Sequence, residues 1–152
     1  MKPAVPGVNR EGCRIHTLVA DVALVADGKV VLVKYRDPEQ YDGESGWFLP
    51  DDGLAYLEHP QAAAKRILKE QLGVGEGMKL RLGHFESFEG GHGTWHMSWH
   101  YRVDCASPPE LAPGPTVGES RWFPLDGLPP RSEVAHHGWA LQILRALRRG
   151  PE

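Results

Sequence analysis

Long apolar runs are missing from this chain of 152 residues, and with them the helical membrane span, which takes about 20 consecutive apolar residues. Charge of one sign is missing too. Seventeen Lys and Arg stand against twenty Asp and Glu, a formal net charge of -3 with no long block of either, so neither a nucleic acid backbone nor an anionic membrane surface is favoured electrostatically. Cysteine is nearly absent: Cys13 and Cys105 are far apart and lack the paired spacing of a zinc site or a disulfide framework, which suits a reducing compartment. The Pro/Gly-punctuated start MKPAVPGVNREG has no signal-type apolar core. These absences predict a cytoplasmic protein whose partner is a small molecule rather than a nucleic acid polymer or a membrane. The length fits one domain, 1–152, with 1–12 expected as a flexible N-terminal segment.

What is present is punctuated regular structure. Two β-branched runs, His16 to Val25 and Lys29 to Lys34, flank Ala26-Asp27-Gly28, and an Asp-Gly turn between such runs predicts a hairpin because both residues tolerate positive φ. Arg36 to Ser45 reads as a loop, and Gly46 to Leu49 as a short strand ended by Pro50. Pro60 to Leu72 reads as a helix: Pro60 suits the first position, Ala64, Leu68 and Leu72 recur at helical spacing, and Gly73 sits where a left-handed C-terminal cap belongs. Leu80 to Glu89 and Thr94 to Val103 alternate about Gly90-Gly91-His92-Gly93 as an antiparallel pair. A Pro-rich loop follows, then a strand from Ser120 to Leu125 and a helix from Glu133 to Arg149 with Ser132 as its cap. Strands and helices in this order predict an α/β/α sandwich around a mixed β-sheet.

The stretch Gly46 to Val74, GWFLPDDGLAYLEHPQAAAKRILKEQLGV, resembles the Nudix box. Anchored on Gly73-Val74, Glu58, Arg66, Leu68 and Glu70 fall in register, while Asp52 stands on the box glycine, Ile67 on the first helical glutamate and Gln71 on the last. The similarity runs through nearly the whole chain, to Glu119-x-x-Trp122-Phe123-x-Leu125-x-x-Leu128-Pro129 and the closing helix. It implies the Nudix fold and a hydrolase acting on a nucleoside diphosphate linked to another moiety. It also implies a divalent cation, Mg²⁺ or Mn²⁺, to neutralise the diphosphate and activate water.

Helix positions 67, 70 and 71 are related by i, i+3 and i+4, so three carboxylates there would converge on one ion. Here only Glu70 carries one; Gln71 keeps an oxygen without the charge, and Ile67 widens the apolar stripe. Because Mg²⁺ takes about one or two protein carboxylates plus the substrate's phosphates, a reduced site on Glu70, Gln71 and a loop acid such as Asp52 remains workable. Asp51-Asp52-Gly53 is equally ordinary turn chemistry. By resemblance Arg66 orients the glutamates and Glu58 supports them; without chemistry, Arg66 and Glu70 would be a surface pair worth about 0.3–0.5 kcal/mol.

A base is still needed. Some Nudix enzymes carry a catalytic carboxylate in a late loop, near Glu119. The segment with His136 and His137 is similar in position to a histidine-bearing stretch of GDP-mannose mannosyl hydrolases, which also replace the first helical glutamate by an aliphatic residue. That likeness implies a glycosyl-cleaving alternative with histidine as base. The run His92, His96, His100 does not read as zinc, since His96 and His100 on one strand face lie about 13 Å apart. Alternation puts Trp95, Met97, Trp99, Tyr101 and Val103 on a core-like face and Thr94, His96, Ser98, His100 and Arg102 on a polar one, with solvent preferred over a cleft floor as its setting. A third reading, a binding module that hydrolyses nothing, follows from the two lost glutamates. The five tryptophans suit core, cleft or homodimer interface equally.

Overall fold

The computed structural model describes residues 16–90 and 93–148. The segment 1–12, Cys13, the Gly91-His92 turn and Arg149 lie outside them. The chain forms β1 (His16–Ala26), β2 (Lys29–Tyr35), β3 (Asp51–Gly53), α1 (Pro60–Leu72), β4 (Arg81–Glu89), β5 (Trp95–Cys105), β6 (Val117–Pro124) and α2 (Ala135–Arg148). Six strands make one sheet in the order β4-β5-β1-β2-β6, with β3 joined to β1 off that path. It is mixed: β1 and β5 run parallel from His16↔Trp95 to Ala26↔Cys105, and the other named strand pairs are antiparallel. The α/β/α sandwich expected from the sequence is the observed architecture.

The hairpin forms where Asp27 and Gly28 both take positive φ, 49° and 69°, but β1 and β2 then diverge, pairing only at Val25↔Val30 and Ala26↔Lys29. The segment after Gly46 fills the fork. Phe48 bridges to Val33, and Asp51, Asp52 and Gly53 pair with Asp21, Ala20 and Val19. This wedge carries the loop that leads into α1, so the site is rooted in the centre of the sheet. Gly46 to Leu49 forms isolated bridges rather than the expected strand.

One core lies under α1, where Ala63, Ala64, Ile67, Leu68 and Leu72 meet Ala20, Val22, Leu24, Val31 and Val33. The other lies under α2, where Ala140, Ile143, Leu144 and Leu147 meet Ala23, Val25, Val30, Leu32, Trp47 and Phe123. Helix α1 starts and stops as its sequence dictates: His59 Nδ1 accepts from the Gln61 N–H, and Gly73 at φ 68° donates to Lys69 while Val74 donates to Leu68. The Pro-rich loop then docks on that end, Ala112 and Gly114 donating to the carbonyls of Leu72 and Gln71.

Two expectations are corrected. The polar face of β5 is not solvated: Ser98 and His100 are 2% and 0% exposed, because α2 crosses that face and sets Trp139 against His100, ring centroids 5.3 Å apart. Trp95, placed on the core-like face, is exposed instead. The last helix does not start from Ser132 either. That residue lies in a 3₁₀ turn, Arg131–Glu133, and His136, His137 and Gly138 follow in left-handed conformations with φ of 53°, 57° and 89°.

Gly46 is where this turn is tied to the sheet. Trp47 donates to the Glu133 carbonyl and Ala135 donates to the Trp47 carbonyl. A Cβ on Gly46 would stand 2.8 Å from the Glu133 carbonyl oxygen, at a φ of 114° that L side chains rarely adopt. Gly46→Ala should therefore cost about 1–3 kcal/mol, read as a lower urea midpoint; an unchanged midpoint would show that the two segments are not in contact.

Candidate active site

Arg66 is the centre of the box. Leaving α1 toward the β3 loop, its guanidinium donates to Glu58 through Nε and Nη2 at 2.9 Å each, to Asp52 at 2.8 Å, to the Gly53 carbonyl at 2.9 Å and, at the longer distance of 3.4 Å, to Glu70. Three carboxylates converge on one cation. Exposed pairs taken singly are worth about 0–1 kcal/mol, but the fork geometry toward Glu58 fixes orientation as well as charge. The hydrogen bond from Arg66, aided by the Ala55 N–H, holds the Glu58 carboxyl below the usual range, and the same bond to Glu58 pushes the guanidinium pKa up. Asp52 also accepts from the Gly53 N–H at 2.9 Å, so it serves turn and ion pair together.

The two departures on the helix are firmly committed elsewhere. Ile67 is 0% exposed in the core beneath α1. Gln71, 3% exposed, donates from Nε2 to the Asp51 carbonyl at 2.7 Å, and its Oε1 lies 3.0 Å from the Tyr35 hydroxyl. That hydroxyl also accepts from the Asp51 N–H at 2.9 Å and lies 2.9 Å from Asp51 Oδ1. Tyr35 stacks on Tyr41, centroids 3.5 Å apart. Asp51 is only half-buried as a residue, but its carboxyl points inward on Tyr35, and burial, aided by the charge of Asp21, pushes its pKa up to about 8. Gln71 is thus a strut between α1 and the Asp51 loop.

Glu70 remains the available acid: its side chain is 61% exposed and its contact with Arg66 is the longest of the three. No set of three His, Cys, Asp or Glu side chains converges as a ready metal centre among the described residues. The donors present fit a single ion held by Glu70, with Asp52 able to join only by loosening from Arg66, and with phosphates completing the shell. Beside Arg66, a surface hollow of about 420 Å³ is lined by Lys65, Lys69, Gly75, Glu76, Gly77 and Met78.

The base candidates separate. His136 stands edge-on to Phe48 with centroids 5.8 Å apart, and Phe48 in turn meets Tyr35, so the histidine is linked by contact to the Tyr35–Gln71 strut. Its Nε2 lies 3.1 Å from Asp42 and its Nδ1 3.9 Å from Glu44. His137 is exposed, and its carbonyl accepts from Arg131. Glu119 pairs with Arg121 at 2.6 Å, and Arg121 lies over Trp47 and Phe123, on the α2 side of the sheet rather than that of Glu70.

Sequence reasoning missed a second polar cluster. His100 Nδ1 lies 2.6 Å from Asp21 and its Nε2 3.1 Å from Glu86, while Asp21 Oδ1 has no partner among the described residues. Burial works against the imidazolium, but hydrogen bonds and charges from Asp21 and Glu86 outweigh it and raise the His100 pKa; burial likewise raises that of Asp21. The charged residue Asp21 within the apolar run of β1 was the available signal.

A helix carrying an Arg-centred acidic cluster, with its leading loop wedged into a mixed sheet between two helices, defines a distinct class of α/β/α domain. The NUDIX domain pattern matches residues 16–145, and the chain belongs to the NUDIX family. No curated protein matches the sequence. Solved structures share the fold at low identity. The NUDIX domain of Shewanella oneidensis NrtR, complexed with ADP ribose, is 18% identical with a TM-score of 0.70, covering 94% of this chain and 93% of its own. A MutT NUDIX hydrolase from Burkholderia pseudomallei is 24% identical, TM-score 0.66, covering 87% and 95%. A bifunctional NMN adenylyltransferase/ADP ribose pyrophosphatase from Francisella tularensis, complexed with AMP and a manganese ion, is 14% identical, TM-score 0.64, covering 88% and 41%.

Restoring the family residue at position 67 should be damaging. Ile67→Glu would bury a carboxylate with no partner and cost about 4 kcal/mol or more in urea unfolding; a small effect would mean that this position can turn outward. Asp51 gives a pH test. A carboxyl whose folded pKa is about 8 against 3.8 unfolded contributes stability that is complete below pH ~4 and is lost as pH rises through about 8. Thermal midpoints should thus fall less steeply between about pH 5 and 9 in Asp51→Asn than in the parent; equal slopes would contradict the assignment.

Proposed function

We propose that the protein is a Nudix-type hydrolase of a nucleoside diphosphate linked to another moiety, using a divalent ion that arrives with the substrate. The observation that carries this reading is Glu70: Asp52 and Glu58 are fastened to Arg66 and the backbone and Asp51 to the Tyr35 hydroxyl, whereas this carboxylate has only the longer 3.4 Å contact with Arg66 and is 61% exposed. A bound Mg²⁺ or Mn²⁺ would supply charge neutralisation of the diphosphate and activation of water. The protein's share is positional. Arg66 holds the Asp52, Glu58 and Glu70 carboxylates in one array, Gln71 and Tyr35 keep the Asp51 loop against α1, and the half-buried Tyr41, stacked on Tyr35, offers aromatic surface beside them.

His136 is the proposed base. Asp42, 3.1 Å from Nε2, holds the ring in place, and imidazole is the side chain most often used as a general base. Glu119, paired with Arg121 on the other side of the sheet, is the weaker candidate, and His137 makes no side-chain contact that would orient it among the described residues. The ADP ribose and AMP named with two of the similar structures support an adenosine diphosphate derivative as the first substrate to try.

A second reading, binding without hydrolysis, is favoured by the burial of Ile67 and the engagement of Gln71. One assay separates the two: a panel of nucleotide sugars and nucleoside diphosphate derivatives with Mg²⁺, Mn²⁺ or chelator, for the parent and Glu70→Gln. The hydrolase reading expects metal-dependent turnover that falls by about a hundredfold or more in Glu70→Gln with unchanged unfolding. Ligand-induced thermal stabilisation without metal and without product would establish the binding module instead. In oxygen-18 water, label entering phosphate supports cleavage at phosphorus, and label in the sugar would transfer the assignment to glycosyl cleavage.

A further inference from the structure

Tyr41 is set into the acidic end of the molecule by a turn that leaves its backbone little freedom. Asp37 caps a 3₁₀ turn, Pro38–Gln40, by accepting from the Glu39 N–H; Tyr41 and Gly43 both donate to the Pro38 carbonyl, and Glu44 donates to that of Tyr41. The Tyr41 ring lies flat on that of Tyr35, with centroids 3.5 Å apart and planes 3° from parallel. Tyr35 ends in a hydroxyl 3.0 Å from Gln71 Oε1, and Gln71 adjoins Glu70 on α1. Tyr41 is therefore one ring away from the helix that carries the available carboxylate. The charges agree with this placement: burial raises the pKa of the Tyr41 hydroxyl, contact with Thr116 opposes the rise, and the charges of Asp52, Asp51 and Glu70 add to it.

Tyr35 is 7% exposed, so the stack shuts one face of Tyr41 away from water. The exposure that the half-buried Tyr41 keeps belongs to its other face and its edges. A flat ring held parallel to a second ring is a surface on which a third can stack. Charge says what kind of group it takes. Asp42 and Glu44 flank Tyr41 in the turn, and Asp51, Asp52 and Glu70 act on its hydroxyl. These acids repel a bare anion, which confines phosphates to an ion at Glu70 and leaves the ring to a neutral, planar group. Phe85, Phe88 and Trp95 are exposed too, but they lie on β4 and β5, separated from β3 by β1. Tyr56, 92% exposed in the loop before α1, has no ring stacked on it among the described residues. We propose that Tyr41 is a specificity-determining residue on which the nucleobase of the substrate stacks, making a pile of three rings with Tyr35. The proposal rests on the nucleoside diphosphate reading above and adds where the base goes. Because every base has a flat face, such a stack selects nucleotides over base-free diphosphates rather than one base over another.

The test titrates the full chain, in Mg²⁺, with the α,β-methylene analogue of ADP and with methylenediphosphonate, the same diphosphonate without its nucleoside. Calorimetry reads affinity, and proton NMR of the nucleotide reads stacking. In the parent, the carbon-bound adenine protons are expected to shift upfield on binding, and further than the anomeric ribose proton, because they lie over the tyrosine ring. Tyr41→Leu, which keeps an apolar cover on Tyr35, should lose that shift and bind the nucleotide about tenfold or more weakly, with its affinity for methylenediphosphonate retained. Tyr41→Phe should restore both shift and affinity. An undiminished shift or affinity in Tyr41→Leu, a larger shift at the ribose than at the base, or an equal loss for the two ligands would overturn the proposal and leave the hydrolase reading standing. A parent that takes up neither ligand would overturn that reading, and the proposal with it.

Discussion

One guanidinium organises the acidic end of this molecule. Three carboxylates crowded at the mouth of a sheet would repel one another, and Arg66 is what lets Asp52, Glu58 and Glu70 share the space. It works because the three come from different places: Asp52 from the wedge strand, Glu58 from the loop before α1, and Glu70 one turn further along the helix. The same contacts tie loop and helix together, so the electrostatics of the site and the placement of α1 on the sheet are one fact. Where the acids sit closest to Arg66 they are spoken for; where the contact lengthens, at Glu70, the carboxylate stays exposed.

The helix departures follow a similar logic. A glutamate at 67 or 71 would meet an environment unfit for it here, the first an apolar core and the second a Tyr35 hydroxyl and the Asp51 carbonyl already satisfied by an amide. Glutamine at 71 can donate to the carbonyl and accept from the hydroxyl, which a carboxylate cannot do. Positions 67 and 71 therefore serve packing and the Asp51 loop, and Glu70 is the exposed acid of this helix face. On the proposed hydrolase reading, a substrate that brings phosphates of its own would complete the shell of an ion held by that one carboxylate.

Local signals were the ones legible from sequence. The Asp27-Gly28 turn, the Ala64, Leu68, Leu72 stripe and the Gly73 cap each act within a few residues, and the helix and hairpin formed where they indicate. The register of Glu58, Arg66 and Glu70 was likewise readable, and these side chains do meet. What could not be read depends on partners remote in the chain. Tyr35 and Gln71 are 36 positions apart, and Asp21 and His100 are 79. Alternation rightly divided β5 into two faces, yet which face α2 would cover is a tertiary choice, and it buried the polar one around His100. The left-handed run at His136, His137 and Gly138 was hidden for a related reason: only Gly138 advertises such a backbone, while the two histidines are held there by the pairing of Trp47 with Val134 and by the contacts of His136 with Asp42 and Phe48.

The central claim is that the site cannot gather its ion alone and completes it with the ligand's phosphates. Calorimetric titration of Mn²⁺ into the protein, with and without a non-hydrolysable adenosine diphosphate derivative, addresses it most directly. The account predicts little heat from Mn²⁺ alone and saturable binding of one ion once the nucleotide is present. Tight binding of Mn²⁺ by the free protein, indifferent to nucleotide, would contradict it.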